Sequence, residues 1–321
     1  MQAHDVFIGV DVAKASLSIC RHGEPGGHEL SNDEASIRRW LCTLPRQAVI
    51  AVESTGRYHQ LLVRLAYAMG HRTFVLNARD VYFYAKALGV RGKTDRTDAR
   101  LIARYLAEHH DALKPWAPGT AAQDRLHELL RCRAGVTCKR MSLRQVLRDV
   151  PDLSAAVEGL ERQFDELLDH IDRQVATLVA ADVRLSQGCA ALRTITGFGP
   201  QGSAMLAALL SRVDFANADA LVAYSGLDPR PNDSGAKTGR RHISKRGSPD
   251  LRRQLYLAAF AASHSKALGP LYRSIKAKGF KPTQALVILA RKLLRIAWAV
   301  WKSAKPFDPS LVTSPEACAK T

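Results

Sequence analysis

Four carboxylates stand at positions where they could bind a divalent metal ion. Asp11 follows the first apolar run of the chain and Glu53 ends a later one, so both are predicted at strand ends. Asp95 and Asp98 open a predicted helix, and side chains three residues apart share one helix face. Such carboxylates bind Mg²⁺ or Mn²⁺, ions that stabilise the attacking and leaving oxygens in phosphoryl transfer. Taken singly, each acid has a simpler explanation as a turn residue or a partner of the helix dipole.

A serine and a cluster of cations form a second candidate group. The segment at residues 226–247 is rich in Pro, Asn, Asp and Gly, which predicts a loop. Ser234 lies between Asp233 and Gly235, so its hydroxyl is little hindered. A serine beside such cations could attack phosphorus and form a covalent phosphoserine, or only donate a hydrogen bond to a bound phosphate. The basic residues of this segment are Arg230, Lys237, Arg240, Arg241, Lys245 and Arg246.

A glycine-rich turn at residues 197–202 reads GFGPQG. It matches a dinucleotide-binding pattern, but the sequence around it does not predict a βαβ unit. It predicts instead a turn like that of a helix-hairpin-helix. In such a turn Gly197 and Gly199 would leave backbone N–H groups open to a DNA phosphate. A plain tight turn between two helices explains the same pattern.

The elements that would position these residues divide the chain into three predicted parts and a tail. β-branched runs that alternate with helical patterns indicate an α/β domain. Apolar residues spaced alternately four and three apart then predict a helical coiled-coil arm, which either associates with another subunit or packs on its own domain. A mostly helical C-terminal domain follows, and a loose tail ends the chain. The predicted parts are residues 1–113, 120–188, 192–307 and 308–321.

The charge of the chain indicates a polyanionic partner. The 321 residues include 47 Lys and Arg against 30 Asp and Glu, a formal net charge of +17. A surplus of this size is typical of proteins that bind nucleic acid. Between Leu251 and Phe307 there are twelve basic residues and no acid. That stretch is therefore predicted to bind the polyanion.

The sequence argues against a membrane protein. The N-terminus lacks a basic segment followed by a long apolar stretch, so a signal peptide is not predicted. The apolar segment at residues 285–301 is interrupted by Arg291, Lys292 and Arg295. The six cysteines show no C-x-x-C spacing, which favours free thiols in a reducing cytoplasm.

Several ordered motifs resemble one known family over nearly the whole chain: the DEDD transposases of the insertion-sequence one-ten group, which are bridge-RNA-guided recombinases. GVDVAKASLSIC is similar to the first strand pair of that family's RuvC-like (RNase H-like) domain. AVESTG and KTDRTDARLIA resemble its next acidic motifs. ITGFGPQGSAML and YSGLDPRPNDSGAKTGRRHISKRGSPDLRRQL resemble its C-terminal serine transposase domain.

The resemblance implies a role for each matched position. The four carboxylates take the DEDD metal positions, with Mg²⁺ or Mn²⁺ as cofactor, and Ser234 takes the position of the serine that becomes linked to DNA. The choice of Ser234 over Ser244 and Ser248 rests on the Asp-Ser-Gly match. The implied partners are donor DNA, target DNA and a noncoding bridge RNA, in a bacterial cytoplasm at the nucleoid. The implied assembly is a dimer or tetramer in which one subunit's RuvC-like domain meets another's serine domain.

Two other functions remain open at this point. A metal-dependent, junction-resolving RuvC-like nuclease would need the four acids but no serine. A non-catalytic protein that binds RNA or DNA would need neither group. The serine loop favours the transposase over the nuclease, and the intact set of acids argues against the binding protein.

Overall fold

The computed structural model describes residues 6–54, 56–90, 95–231, 239 and 241–310, without the side chains of Asp95, Arg96 and Pro151. The chain divides into two compact units, Met1–Pro118 and Gly119–Thr321. The first unit contains a mixed sheet and the second is mainly helical. The mixed α/β class predicted from the sequence is therefore confirmed.

The first unit is built on a five-stranded sheet. Its elements are β1 (Phe7–Val12), β2 (Ser16–Arg21), β3 (Gly27–Ser31), α1 (Glu34–Cys42), β4 (Val49–Glu53), α2 (Gln60–Ala68), β5 (Arg72–Leu76), α3 (Ala78–Ala87) and α4 (Asp95–His109), with a short 3₁₀ turn at His110–Ala112. The strand order is β3-β2-β1-β4-β5. The first three strands pair antiparallel, and β1, β4 and β5 run parallel.

The alternating pattern of β1 and β4 builds two cores. Ile8 and Val10 pack with Leu62 of α2 and with residues of α1 on one face of the sheet. On the other face, Val49 and Ile102 belong to a core that α4 covers. Because successive strand residues point to opposite faces, one run of β-branched residues supplies both cores.

Local capping residues start several helices of the chain. The Asp33 side chain accepts a hydrogen bond from the Ser36 amide at 2.8 Å and begins α1. That bond holds the pKa of Asp33 below its ordinary value. Asn77 caps α3 in the same way. In the second unit, Thr120 and Gln123 form a reciprocal capping box that starts the first long helix.

The second unit is a helical assembly with one small hairpin. Its elements are α5 (Ala121–Val146), a 3₁₀ turn at Pro151–Leu153, α6 (Ser154–Ala180), α7 (Val183–Arg193), α8 (Pro200–Arg212), α9 (Ala218–Ser225), β6 (Pro229–Arg230), β7 (His242–Ile243), α10 (Pro249–Ser263), α11 (Gly269–Ala277) and α12 (Pro282–Ser303). One apolar core joins α5 to α12.

Helices α5 and α6 form an antiparallel pair braced by ion pairs. Arg133 makes a two-pronged contact to Asp172 at 2.6 and 2.9 Å. Arg140 bridges Glu161 and Asp165, with contacts of 2.6 Å to each. Part of the predicted arm therefore packs within one chain, through contacts between α5 and α6.

Helix α6 ends inside the predicted arm, which extends to residue 188. Helix α6 stops at Ala180, and the Asp182 side chain then accepts a hydrogen bond from the Leu185 amide, which starts α7. The chain bends by 117° between the two helices. A short acidic cap thus divides the last part of the predicted arm into two helices.

The apolar seam of α6 is divided between two environments. Ile171 and Val175 are buried in the unit's own core. Leu153 and Leu167 are 43% and 45% exposed, and Leu160 is half-buried. Intrachain packing therefore uses only part of the seam.

Among the residues that the structure describes, no single helix is long and apolar enough to cross a membrane, and only the bent pair α6–α7 meets that test of length and composition jointly.

Candidate active site

Asp11 and Glu53 stand side by side at the carboxyl ends of two parallel strands. Val10 of β1 pairs with Val52 of β4, so the next residue on each strand falls at the same level. Neighbouring strands lie about 4.8 Å apart, and paired residues point to the same face. Both carboxylates are half-buried. The strand register therefore brings together two acids that are 42 residues apart in the sequence.

Helix α4 covers the face of the sheet that carries these two acids. A side chain at Gly9 would meet the Ala99 carbonyl and the Ala103 amide, each 2.2 Å from an added Cβ. The rings of Phe7 and His110 lie 4.7 Å apart, so α4 runs antiparallel to β1. The absence of a side chain at Gly9 lets the helix backbone rest directly on the strand.

This packing brings the first turn of α4 to the level of Asp11. The strand advances about 6.6 Å from Gly9 to Asp11. The helix retreats about 6 Å from Ala99 to Asp95. The first turn of α4 therefore lies at about the level of Asp11 along the strand, and it carries the half-buried Asp98.

The described side chains do not form a closed metal cage. Within the described ranges, no three His, Cys, Asp or Glu side chains lie close enough to hold a metal ion, and the side chain of Asp95 falls outside those ranges. Mg²⁺ is commonly held by only one or two carboxylates, with waters and substrate phosphates as its other ligands. The donor chemistry of the neighbouring Asp11 and Glu53 fits such an open site.

The segment that contains Ser234 connects two paired strands of the second unit, and each strand is two residues long. Pro229 and Arg230 of β6 pair with Ile243 and His242 of β7. The pairing holds together the two ends of residues 231–241. Ser234, Lys237 and Arg240 lie outside the described residues, so their predicted roles stay predictions.

The two other serines considered as nucleophiles both have structural work. Ser244 is fully buried and its hydroxyl donates a hydrogen bond to the Asp228 carboxylate. The Ser248 hydroxyl accepts from the Leu251 amide and caps α10. A nucleophile must reach its substrate, so the buried position of Ser244 argues against that role.

The described cations of residues 226–247 lie on the two short strands and directly beside them in the sequence. Arg230 is half-buried, whereas Arg241, Lys245 and Arg246 are exposed. Backbone bonds from the Ser244 amide to the Asp228 carbonyl and from the Lys245 amide to the Gly226 carbonyl, both 3.0 Å, join the two sides of this segment. The backbone that carries Lys245 is therefore fixed, and the side chains of Arg241, Lys245 and Arg246 reach solvent.

The glycine turn has a packing function at one of its two predicted positions. Gly197 has a φ of +101°, and an added Cβ would lie 2.2 Å from the Ala258 carbonyl of α10. The turn therefore requires glycine for helix packing. Gly199 is exposed and precedes α8, whose N-terminus has no side-chain cap.

Some cations of the acid-free C-terminal stretch have contacts within the fold. Arg295 and Lys302 of α12 pair with Asp219 and Asp214, and burial lowers the pKa of Arg291. Those cations support the fold. Apart from Arg295 and Lys302, the exposed cations of the stretch are Lys305 and five residues on or next to α11 in the sequence: Lys266, Arg273, Lys276, Lys278 and Lys281.

Two positioning residues escaped the sequence interpretation. Gly9 is a lone glycine within an apolar strand, a pattern that can mark close backbone approach. Asp228 lies in the predicted loop and reads there as a turn residue, although its carboxylate holds the buried Ser244. The packing at Gly9 and the hydrogen bond of Asp228 are visible only in the folded chain.

Comparison with known proteins gives a consistent result along the chain. One family model, described as a transposase of the DEDD, IS110 type, matches residues 8–154. A second, described as "Transposase IS116/IS110/IS902 family", matches residues 189–273. The "Pilin gene-inverting protein" of Moraxella bovis is 29% identical over 94% of this chain and 97% of that protein. The "Insertion element IS116 uncharacterized 44.8 kDa protein" of Streptomyces clavuligerus is 24% identical over 96% and 97%. The "Transposase for insertion sequence element IS1328" of Yersinia enterocolitica is 25% identical over 94% and 98%.

Proposed function

The chain belongs to the IS110/IS116/IS902 family of DEDD transposases, and from that premise we propose that it is an RNA-guided recombinase that cuts and rejoins donor and target DNA. The family is one of DNA-acting enzymes. The proposal adds a guide RNA, a divalent metal, a serine nucleophile and a homo-oligomer.

The observation that carries the proposal is the acidic edge of the first unit. Asp11 and Glu53 end two adjacent parallel strands, and Asp98 lies in the first turn of α4, the helix that packs on β1 at Gly9. RNase H-like (RuvC-like) nucleases and transposases use carboxylates at such an edge, and the resemblance of the motifs agrees. When bound, Mg²⁺ or Mn²⁺ would neutralise phosphate charge and favour an ionised hydroxyl.

The serine chemistry would conserve the energy of the broken bond. The Ser234 oxygen attacks phosphorus, an Oγ–P bond forms, and the P–O bond to the leaving deoxyribose breaks. The serine proton passes to that departing oxygen. A hydroxyl of the new partner strand then attacks the phosphoserine, so the DNA bond re-forms and the serine regains its proton. Neither ATP nor water is consumed.

The cations at the loop base would support that exchange. Arg241, Lys245 and Arg246 are exposed beside the loop. Guanidinium and ammonium groups stabilise the charge that develops on phosphorus. Lys237 and Arg240 would complete this set in the same way.

Guide RNA dependence provides the direct test of the proposed function. Purified protein is incubated with Mg²⁺, a donor duplex, a target duplex and the noncoding RNA of its element. We expect joined donor–target strands only when the RNA is present. An RNA with its target-pairing segment scrambled is the matched control, and it should give no product. Equal product without RNA would contradict RNA guidance, and cleavage without joining would favour the junction-resolving nuclease.

Self-association through α6 is a separate expectation. Leu153, Leu160 and Leu167 repeat every seven residues, and the two outer ones are about half exposed. Replacing Leu153 and Leu167 with Glu should lower the mass measured by light scattering to that of a smaller assembly. The fold should survive because neither side chain lies in the buried core.

The control for this test is another exposed apolar residue. Val183 is 71% exposed on α7, away from the seam of α6. Val183→Glu should leave the mass unchanged. Ile171→Glu is uninformative about association, because Ile171 is buried and the variant would unfold. An unchanged mass in the double variant would mean that this seam makes no contact between subunits.

A further inference from the structure

Helix α3 carries a stripe of two exposed aromatic rings and two cations, of which Lys86 is exposed and Arg79 is half-buried. Arg79, Tyr82, Phe83 and Lys86 are spaced by three, four and seven residues from the first, so they share one face. Tyr82 is 53% exposed and Phe83 is 46% exposed. A surface helix usually turns such rings toward the core. We call this face the α3 stripe.

The opposite face of α3 fixes the stripe in its outward direction. Val81 is buried in a core with Ile102 of α4. The Tyr84 hydroxyl donates a hydrogen bond of 2.6 Å to Glu108. Burial, together with that bond, raises the pKa of Tyr84 to about 12, so the phenol remains a donor at neutral pH. Rotation of the helix to hide the stripe would break all these contacts.

Each ring of the stripe lies beside a cation of the same helix. The Arg79 guanidinium is 5.4 Å from the centre of the Phe83 ring, and the Lys86 ammonium is 4.8 Å from that of Tyr82. Single-stranded nucleic acids bind surfaces that combine flat rings for the bases with cations for the phosphates. The only acid of α3, Asp80, is not part of the stripe.

The charge of the chain argues for nucleic acid rather than a second copy on this surface. Each copy carries a formal charge of +17, so two stripes in contact would bring cations together. A nucleic acid strand instead supplies phosphates for Arg79 and Lys86 and bases for the rings. A duplex keeps its bases stacked inside, which favours a single strand.

The stripe begins at the acidic edge of the sheet. Glu53 of β4 pairs with Leu76 of β5, and the Ser54 amide donates to the Leu76 carbonyl at 2.9 Å. Asn77 follows directly and caps α3. A strand that lies on the stripe would thus lead to Glu53.

We propose that the α3 stripe binds a single-stranded nucleic acid, with bases stacked on Tyr82 and Phe83 and phosphates against Arg79 and Lys86. The proposal rests on the proposed function only in expecting a nucleic acid strand at the adjacent acidic edge. The binding itself needs neither metal nor catalysis.

Binding of short fluorescein-labelled oligouridylate and oligothymidylate to the full chain tests the proposal by fluorescence anisotropy. Tyr82→Ala and Phe83→Ala should each weaken binding about tenfold, because each removes one stacking ring. Tyr82→Trp should retain the affinity. Arg79→Gln with Lys86→Gln should lower the salt dependence, by roughly 0.7 in slope for each phosphate released. A loss with both oligonucleotides indicates a site for either strand, and a loss with the uridylate alone assigns it to RNA.

The matched control is Tyr67→Ala. Tyr67 is 45% exposed in the same unit, and its ring packs edge-on against Trp116. This variant should bind both oligonucleotides as the parent does. All measurements are made without metal and repeated in Glu53→Gln. The binding results can therefore be interpreted even if the catalytic proposal fails.

Photo-cross-linking of an oligouridylate that contains 5-iodouridine locates the contact. We expect the modified peptide to include Tyr82 and Phe83. Unchanged affinity in both alanine variants would overturn the proposal. If affinity is unchanged while the mass in light scattering falls, the stripe is a contact between protein chains instead.

Discussion

Glu53→Gln and Asp11→Asn should each reduce the rate of recombination by about a thousandfold or more, an effect of several kcal/mol on the activation free energy. Each amide keeps the shape of its carboxylate and removes one negative charge. The two acids end adjacent strands, so a divalent ion at this edge would lose a ligand in either variant. Rates of strand joining at saturating guide RNA and Mg²⁺ measure the effect.

The control for these variants lies on the edge of the same sheet. Glu29 is an exposed acid of β3, and Glu29→Gln should recombine at the parent rate. DNA binding and thermal unfolding of the two active-edge variants should match those of the parent. If Asp11→Asn, Glu53→Gln and the corresponding Asp95 and Asp98 variants all recombine normally, the metal site lies elsewhere.

The sequence predicts this edge well because its information is local. Strands β1 and β4 are β-branched runs, and each reads directly into an acid. The start of α4 is also predictable, since its apolar stripe at Leu101, Ile102 and Leu106 has helical spacing. Their convergence is not local. It depends on the parallel register of β1 with β4 and on the close approach at Gly9.

Two elements of the first unit are absent from the sequence prediction for physical reasons. Strand β3 reads GHELS and lies at the sheet edge, where partners on one side only leave its side chains mostly exposed. Helix α3 carries aromatic residues on its exposed face, so its pattern does not match a helix with a buried apolar stripe. In both elements, exposed side chains replace the apolar pattern that a core element would show.

In the second unit too, local sequence signals predict the helices, whereas contacts between distant segments are not predicted. The two long helices and their break near Pro151 follow from periodicity and proline chemistry. Which cations bind a polyanion does not follow from composition. Arg295 and Lys302 lie in the basic stretch yet pair with acids of other segments. Charge counting therefore overestimates the binding surface, and only tertiary pairing corrects it.

Ser234→Ala should abolish strand exchange and every covalent protein–DNA adduct while RNA and DNA binding persist. Alanine removes the oxygen that would form the bond to phosphorus and leaves the basic loop intact. A hydrolytic nuclease releases a cut strand, whereas a recombinase must hold it, and a serine ester does so without ATP. The measurement is denaturing electrophoresis of protein incubated with guide RNA, Mg²⁺ and labelled donor and target DNA.

Two neighbouring serines make the test of Ser234 specific. Ser248→Ala removes the cap of α10, which costs about 1 kcal/mol of stability and should leave the adduct. Ser244→Ala leaves the Asp228 carboxylate without its donor, so a loss of about 1–3 kcal/mol is expected, with the adduct still formed below the unfolding temperature. An adduct that persists in Ser234→Ala would refute the assignment. Metal-dependent cleavage with no adduct in any of the three variants would instead identify a nuclease, since the acidic edge alone is then sufficient to break the strand.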